Sequence, residues 1–322
     1  MNKPLLSILI PVFNTAGVLD QTLDSAFAEA ASVDAEVIAL DDGSTDGSYE
    51  LLQRRGAGLC CQRQSNQGVS AARNRLAELA RGEWLLFLDA DDLLLPGTLA
   101  ARLQTAAQTQ ADAVYCDWQG FGHAEDRQHL CRAEYRALEQ VAADPVLALF
   151  SGFWSPPGAW LFRAPLHEKI GGFRRDLPVI QDARYALDAA LLGARLAHSA
   201  HLGLHYREAQ AGSLSRRDPT KFVLDCLRNT QQIEAAFAAQ GRTGPAPRRA
   251  LAGAFEYCAR DLAVAHPALA AAAMRRALDY TDGRASRWLR AARWASAALG
   301  SERGLRWTGA VAAWRGKRRS AV

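Results

Sequence analysis

No run in the 322 residues approaches the ~20 apolar residues needed to cross a bilayer, so any membrane association is expected to be peripheral. The first apolar run, residues 5–13, follows Lys3 much as a secretion signal would. It is short, holds Pro11, meets Asn14 and lacks a small-residue cleavage pattern, so it reads as a buried first strand. Cysteine is sparse: Cys60, Cys61, Cys116, Cys131, Cys226 and Cys258 form no C-x-x-C pair and no dense framework. A disulfide scaffold is thereby excluded, and ordinary reduced thiols in a cytoplasmic protein are expected. His167, His198, His201 and His205 do not stand at metal-ligand spacing with nearby Cys and read as structural or surface residues. G-x-G-x-x-G is missing after the first strand, where the chain has Pro11-Val12-Phe13-Asn14-Thr15-Ala16-Gly17, which excludes a dinucleotide-binding dehydrogenase. There is no internal repeat.

What is present suits a folded protein: 49% hydrophobic residues and 22% charged. The net charge of +4 hides an asymmetry. Residues 1–240 hold 22 basic and 29 acidic side chains, whereas residues 241–322 hold 16 and 5. Two charge regimes suggest two jobs. The length allows a catalytic domain of ~200 residues and a smaller extension. We place them at 1–217 and 218–322, the second helical, basic and tryptophan-containing, with a soft boundary between 217 and 245.

Short apolar runs alternate with helix-patterned segments through the first hundred residues. Strands are expected at 5–13, 36–40, 58–62, 84–88 and 113–118, with helical spacing from Val18 to Phe27 and over 70–80. This β-α alternation, with near-continuous apolar strands, predicts an α/β fold whose mostly parallel central sheet is flanked by helices. Polar residues gather where these strands end, which is where open α/β sheets bind ligands.

Asp89-Ala90-Asp91 follows the fourth strand, and two carboxylates at that spacing offer hard oxygen ligands to Mg2+ or Mn2+. Asp42, in the turn Asp41-Asp42-Gly43-Ser44-Thr45-Asp46, ends the second strand, where a carboxylate can accept a hydrogen bond from a nucleobase imide. Thr45 or Asp46 is expected only to cap the following helix. A phosphatase of the haloacid-dehalogenase type also carries D-x-D after an apolar strand, but here the string comes late and has its own partner turn at Asp41-Asp42.

Together these strings resemble the inverting family 2 glycosyltransferases of the GT-A fold. The matching stretches are Ser7-Ile8-Leu9-Ile10-Pro11-Val12-Phe13-Asn14, the turn at Asp41, Asn66-Gln67-Gly68 with Ala72-Arg73-Asn74, and Phe87-Leu88-Asp89-Ala90-Asp91-Asp92. Gly171-Gly172-Phe173, Asp182 and Tyr206-Arg207 with Gly212-Ser213 extend the resemblance over residues 5–216. It implies transfer of a hexosyl or N-acetylhexosaminyl group from a nucleotide-diphosphate sugar to a glycan or lipid-linked acceptor. Pro11 and Phe13 would then shape the base pocket and Asp42 would meet the base edge. Arg73 would lie near ribose or diphosphate, Asp89 would hold the ribose, and Asp91 would ligate a divalent metal, Mn2+ or Mg2+.

Asp182 is the expected general base, although the residue can alternatively cap the helix running through Leu187 and Leu191. The family usually has Glu-Asp here, whereas this chain has Gln181-Asp182, so acceptor contacts are expected to differ. A histidine that often completes the metal site is replaced by the stretch Glu208-Ala209-Gln210-Ala211, where Gln210 offers a weaker oxygen ligand or water fills the place. A non-catalytic sugar-nucleotide-binding module would keep Asp42 and Asp91 without needing Asp182. Trp154 and Trp160 flank Ser155-Pro156-Pro157-Gly158, and such tryptophans either stack on an acceptor sugar or belong to the core.

Ten basic residues lie between Arg284 and Arg319, among Trp288, Trp294, Trp307 and Trp314. Arg287, Arg290 and Arg293 share one helical arc; Trp288, Ala292, Ala295 and Leu299 share another. Residues 284–319 therefore suit either an anionic membrane on the inner face or a helix packed on the protein with a solvated basic side. Nucleic acid is not an expected partner, because no reading module accompanies the charge.

Overall fold

The computed structural model describes residues 3–56, 58–122, 129–131, 141–208, 218–281, 285–306, 308 and 309. The chain divides into two compact units, Met1–Ala211 and Gly212–Val322.

The first unit is a nine-stranded sheet in the order β3-β2-β1-β4-β8-β6-β9-β5, with β7 paired to β6. The strands are β1 (Leu6–Val12), β2 (Ala35–Asp41), β3 (Leu59–Arg63), β4 (Trp84–Phe87), β5 (Leu93–Leu94), β6 (Ala113–Phe121), β7 (His129–Cys131), β8 (Trp160–Arg163) and β9 (Leu196–Arg207). β3, β2, β1 and β4 pair in parallel, as do β6 and β9. β8 runs against both β4 and β6, while β5 and β7 run against β9 and β6. The sheet is thus mostly parallel, as expected.

Helices cover both faces. Leu6, Ile8, Ile10 and Val12 of β1 pack with α1 (Leu19–Ala30) and α4 (Thr98–Thr109), while Leu9 packs on the other face with α3 (Val69–Leu79) and α7 (Gln181–Leu191). This alternation follows from the two-residue period of a strand, and the near-continuous apolar run from burial on both sides. α2 (Ser48–Arg55), α5 (Pro145–Ser151) and α6 (Ala164–Ile170) also belong to this unit.

Two features of β1 open the site. Its pairing with β4 stops at Leu9, opposite Phe87, although its pairing with β2 continues to Val12. Pro11 therefore costs no ladder hydrogen bond on the β4 side, where proline would otherwise be excluded. The chain also reverses its direction of travel across the sheet between β1 and β4, so the crevice at their carboxyl ends is the topological switch point.

The second unit contains α8 (Pro219–Ala239), α9 (Pro245–Leu262), α10 (Pro267–Asp279) and α11 (Arg287–Leu299). Three begin with proline, whose fixed φ and missing N–H suit the first turn. Asp218 accepts from the Lys221 N–H at 3.0 Å to start α8. Val223, Leu227, Thr230, Ile233 and Phe237 then form its buried stripe. Among the described residues no helix is long and apolar enough to cross a membrane.

Candidate active site

The loops after β1, β2 and β4 meet at the switch point. Pro11 is buried, and Phe13, one residue past β1, leaves 45% of its surface exposed. Asn14 takes a left-handed backbone (φ 52°) that turns the loop toward the β2 turn. There its N–H bonds Ser44 Oγ at 3.0 Å and its Oδ1 accepts from the Thr45 N–H at 2.9 Å. Asp46 accepts from the Ser48 N–H at 3.0 Å and from the Ser48 hydroxyl at 2.6 Å, but the residue at the cap of α2 is Gly47 and no side chain caps the helix, which corrects the expectation of a cap at Asp46. Thr45 caps nothing; its N–H is instead held by Asn14.

Asp42 is 3% exposed. Its Oδ1 accepts from Gln64 Nε2 at 2.7 Å and the Gln67 N–H at 2.9 Å, and its Oδ2 accepts from the Gly68 N–H at 2.9 Å. The carboxylate therefore shapes residues 64–68 of its own chain. One lone-pair position on Oδ2 remains for another donor.

Arg73, on α3, is 2% exposed and sits at the centre of the crevice. It pairs through Nη2 with Asp89 Oδ1 and donates through Nη1 to Gln181 Oε1 at 2.5 Å. Its guanidinium lies 5.1 Å from the Phe173 ring centroid. The loop carrying Phe173 is clamped by Asn74, which donates to Phe173 O at 3.0 Å and accepts from its N–H at 2.7 Å. Gly172 has φ +85°, and a Cβ there would meet Asn74 Oδ1 at 2.7 Å, so the glycine is required twice over. The strings Ala72-Arg73-Asn74 and Gly171-Gly172-Phe173, a hundred residues apart, are two halves of one joint.

The Gln181 side-chain oxygen is thus engaged by Arg73. A glutamate here would share the Arg73 cation with Asp89; the neutral amide leaves that charge to Asp89.

Asp91 and Asp92 follow Asp89. Burial first, and the Asp89 charge second, push the Asp91 carboxyl up to about 6. Asp92 is fully buried and raised well above the usual carboxylate range by burial, then by Asp91 and Asp89. Its Oδ1 accepts from the Arg207 N–H at 2.9 Å, while its Oδ2 has no hydrogen-bond partner among the described residues. Arg207, at the end of β9, also donates through Nε to the Asp91 carbonyl at 2.8 Å and so latches the acidic loop.

Among the described residues no three His, Cys, Asp or Glu side chains are grouped to hold a metal, and Gln210 lies outside those residues. The adjacent carboxylates of Asp89 and Asp91 nevertheless have the donor chemistry for a divalent cation. Hard oxygen donors are present, and the repulsion that raises Asp91 is what a cation relieves.

Asp182 lies in the first turn of α7 but is not its cap, since the helix follows Ile180. Its Oδ2 accepts from Trp154 Nε1 at 3.2 Å. Burial raises the carboxyl above its ordinary value, opposed by Arg73. Trp154 is 38% exposed and belongs to an aromatic trio. Its ring stands edge-on to Trp118 (centroids 5.3 Å apart) and Tyr206 (5.5 Å), which also meet each other at 5.4 Å. Trp160 is core: 2% exposed and stacked on Phe162. Trp118 carries no signal in the sequence because it sits inside an apolar strand. Tyr206 was legible only as part of a string. Their convergence with Trp154 comes from the sheet.

The expected histidine roles also fit the contacts: His167 meets the Tyr185 hydroxyl at 2.7 Å, His198 meets Asp117 at 2.9 Å, and His201 meets Thr98 at 3.0 Å.

Residues 7–170, about half of the chain, match the family described as glycosyl transferase family 2. The chain belongs to this family. It is 39% identical over 123 residues to a PGL/p-HBAD biosynthesis glycosyltransferase of Mycobacterium bovis (strain BCG / Pasteur 1173P2), covering 36% of this chain and 48% of that protein. The chain matches between 35% and 51% of the length of the curated relatives. Its fold is similar to that of S. aureus TarS 1–349, with a TM-score of 0.67 at 16% identity over 97% of this chain and 91% of that one. TarS has also been solved with UDP-GlcNAc, with a TM-score of 0.60 at 18% identity over 85% and 88% of the two chains. The mannosyltransferase PcManGT from Pyrobaculum calidifontis, in complex with GDP-Man and Mn2+, gives a TM-score of 0.53 at 21% identity over 97% and 87%. The fold is GT-A.

Proposed function

We propose that this protein is an inverting glycosyltransferase that moves a hexosyl or N-acetylhexosaminyl group from a nucleoside-diphosphate donor to an acceptor hydroxyl. The observation that carries this reading is the Arg73 bridge, which ties Asp89, on the loop after β4, to Gln181, the residue before Asp182. An acidic donor loop and a half-buried carboxylate base are thereby held on two sides of one crevice. Pro11, Phe13 and Asp42 border the base, and Asp89 with Arg73 meets the ribose and diphosphate. Asp91 would hold Mn2+ or Mg2+, which when bound stabilises the charge of the departing diphosphate.

Asp182 takes the proton of the acceptor hydroxyl as its oxygen attacks the anomeric carbon from the face opposite the leaving diphosphate, which inverts that carbon. The Trp154 indole N–H orients this carboxylate, and the exposed Trp154 ring offers a platform for an acceptor sugar. UDP-linked donors are favoured by the UDP-GlcNAc held by TarS. Assembly of a bacterial-type surface glycan, at the cytoplasmic face of a membrane, is the setting that a lipid-linked acceptor implies.

The test is a panel of UDP- and GDP-sugars incubated with the purified chain, Mn2+ and a mixture of lipid-linked and free glycan acceptors. One donor is expected to yield free nucleoside diphosphate at a rate that rises with acceptor. Binding of a sugar nucleotide with no turnover under any acceptor would leave a non-catalytic binding module instead.

A further inference from the structure

α11 turns part of its apolar arc inward, while Leu299 on that arc is 50% exposed. Leu289, Ala292 and Ala295 are fully buried, so this part of the helix serves packing. Ser286 fixes the start, accepting from the Leu289 N–H at 3.1 Å. What faces outward is a second pattern. Arg287, Arg290 and Trp294 follow one another at helical spacing on the exposed side, with Arg293 at its flank. Trp294 leaves 70% of its surface in solvent. From residue 285 to 309 the one acidic residue is Glu302.

We propose that this arginine–tryptophan face of α11 docks on an anionic lipid bilayer, the indole of Trp294 at headgroup level and the guanidinium groups of Arg287, Arg290 and Arg293 on lipid phosphates. It deepens the membrane setting proposed above. An indole is apolar in body and polar at one edge, which matches the boundary between acyl chains and water. Guanidinium forks match phosphate oxygens. A second copy of the chain is a poor occupant, because a twofold contact would set these arginines against themselves. A nucleic-acid backbone would reward the charge but leave Trp294 unexplained.

The full chain, its Trp294→Ser variant and its Arg287→Gln/Arg290→Gln variant would be floated with phosphatidylcholine vesicles, with and without phosphatidylglycerol. The native chain is expected to bind only the anionic vesicles and to come off as salt rises. Each variant is expected to bind at least ~10-fold more weakly with an unchanged melting temperature, since the altered side chains are exposed. Equal binding by all three proteins would overturn the proposal, because the lipid contact would then lie elsewhere. Absence of binding by the native chain would do the same, as would a change of oligomeric state in Trp294→Ser or binding of duplex DNA that matches the anionic vesicles. None of these readings needs turnover, so failure here leaves the transferase reading standing.

Discussion

Asp182→Asn is expected to lower turnover by ~100-fold or more while leaving UDP affinity within about twofold. The amide keeps an oxygen for the Trp154 indole N–H, so the side chain stays in place, but it cannot take the acceptor's proton. Stability separates this outcome from simple damage. Burial raises the Asp182 carboxyl in the folded state, so its favourable contribution exists below the unfolded pKa and is lost as pH rises through the folded one. At neutral pH the ionised group opposes folding, and the asparagine variant should melt no lower than the native chain. The same shift sets the pH profile. A general base works ionised, so if Asp182 is that base kcat/KM should fall on the acid side through a pKa above the ordinary carboxylate value, and this limb should vanish in the variant's residual activity. Native turnover in Asp182→Asn, with a productive acceptor supplied, would remove Asp182 from the mechanism.

Arg73→Met is expected to weaken UDP binding by ~30-fold or more, about 2 kcal/mol, and to lower the melting temperature. Methionine keeps apolar stem volume against Phe173 but removes the cation shared by Asp89 and Gln181. Asp89 is then left with the neighbouring acidic groups and no counter-ion. The companion variant Asp89→Asn should lose less in the Arg73→Met background than alone, because the two residues act as a pair. Additive losses in calorimetric titration with UDP would mean that Arg73 and Asp89 contribute separately.

The strands of the first unit were legible because burial on both faces leaves near-continuous apolar runs, and five expected strands coincide with β1, β2, β3, β4 and β6. β5, two residues long, and β9, whose sequence mixes histidines with small residues, carry no such run. β9 is defined by its partners β6 and β5 rather than by its own pattern. Asp89, Asp91 and Asp182 were legible as carboxylates at element boundaries. The bond from Arg73 to Gln181 joins residues 108 positions apart, and local spacing says nothing about such a contact. The aromatic trio is hidden for the same reason. In α11 the helical period placed Ala292 and Ala295 on one arc, and both are buried, but Leu299 of the same arc is 50% exposed; which positions pack depends on what lies beneath them, and the exposure of Trp294 is a property of that packing.

The switch-point crevice is expected to hold a nucleoside diphosphate through Asp91 and a divalent cation. Calorimetric titration of UDP into the native chain and into Asp91→Ala, each with and without Mn2+, tests it most directly. The crowding of carboxylates around Asp91 predicts that Mn2+ strengthens UDP binding by the native chain at least ~10-fold and that Asp91→Ala loses this gain while keeping the weak metal-free affinity. Equal UDP affinity with and without Mn2+ in the native chain would mean that the crevice holds the diphosphate without a cation.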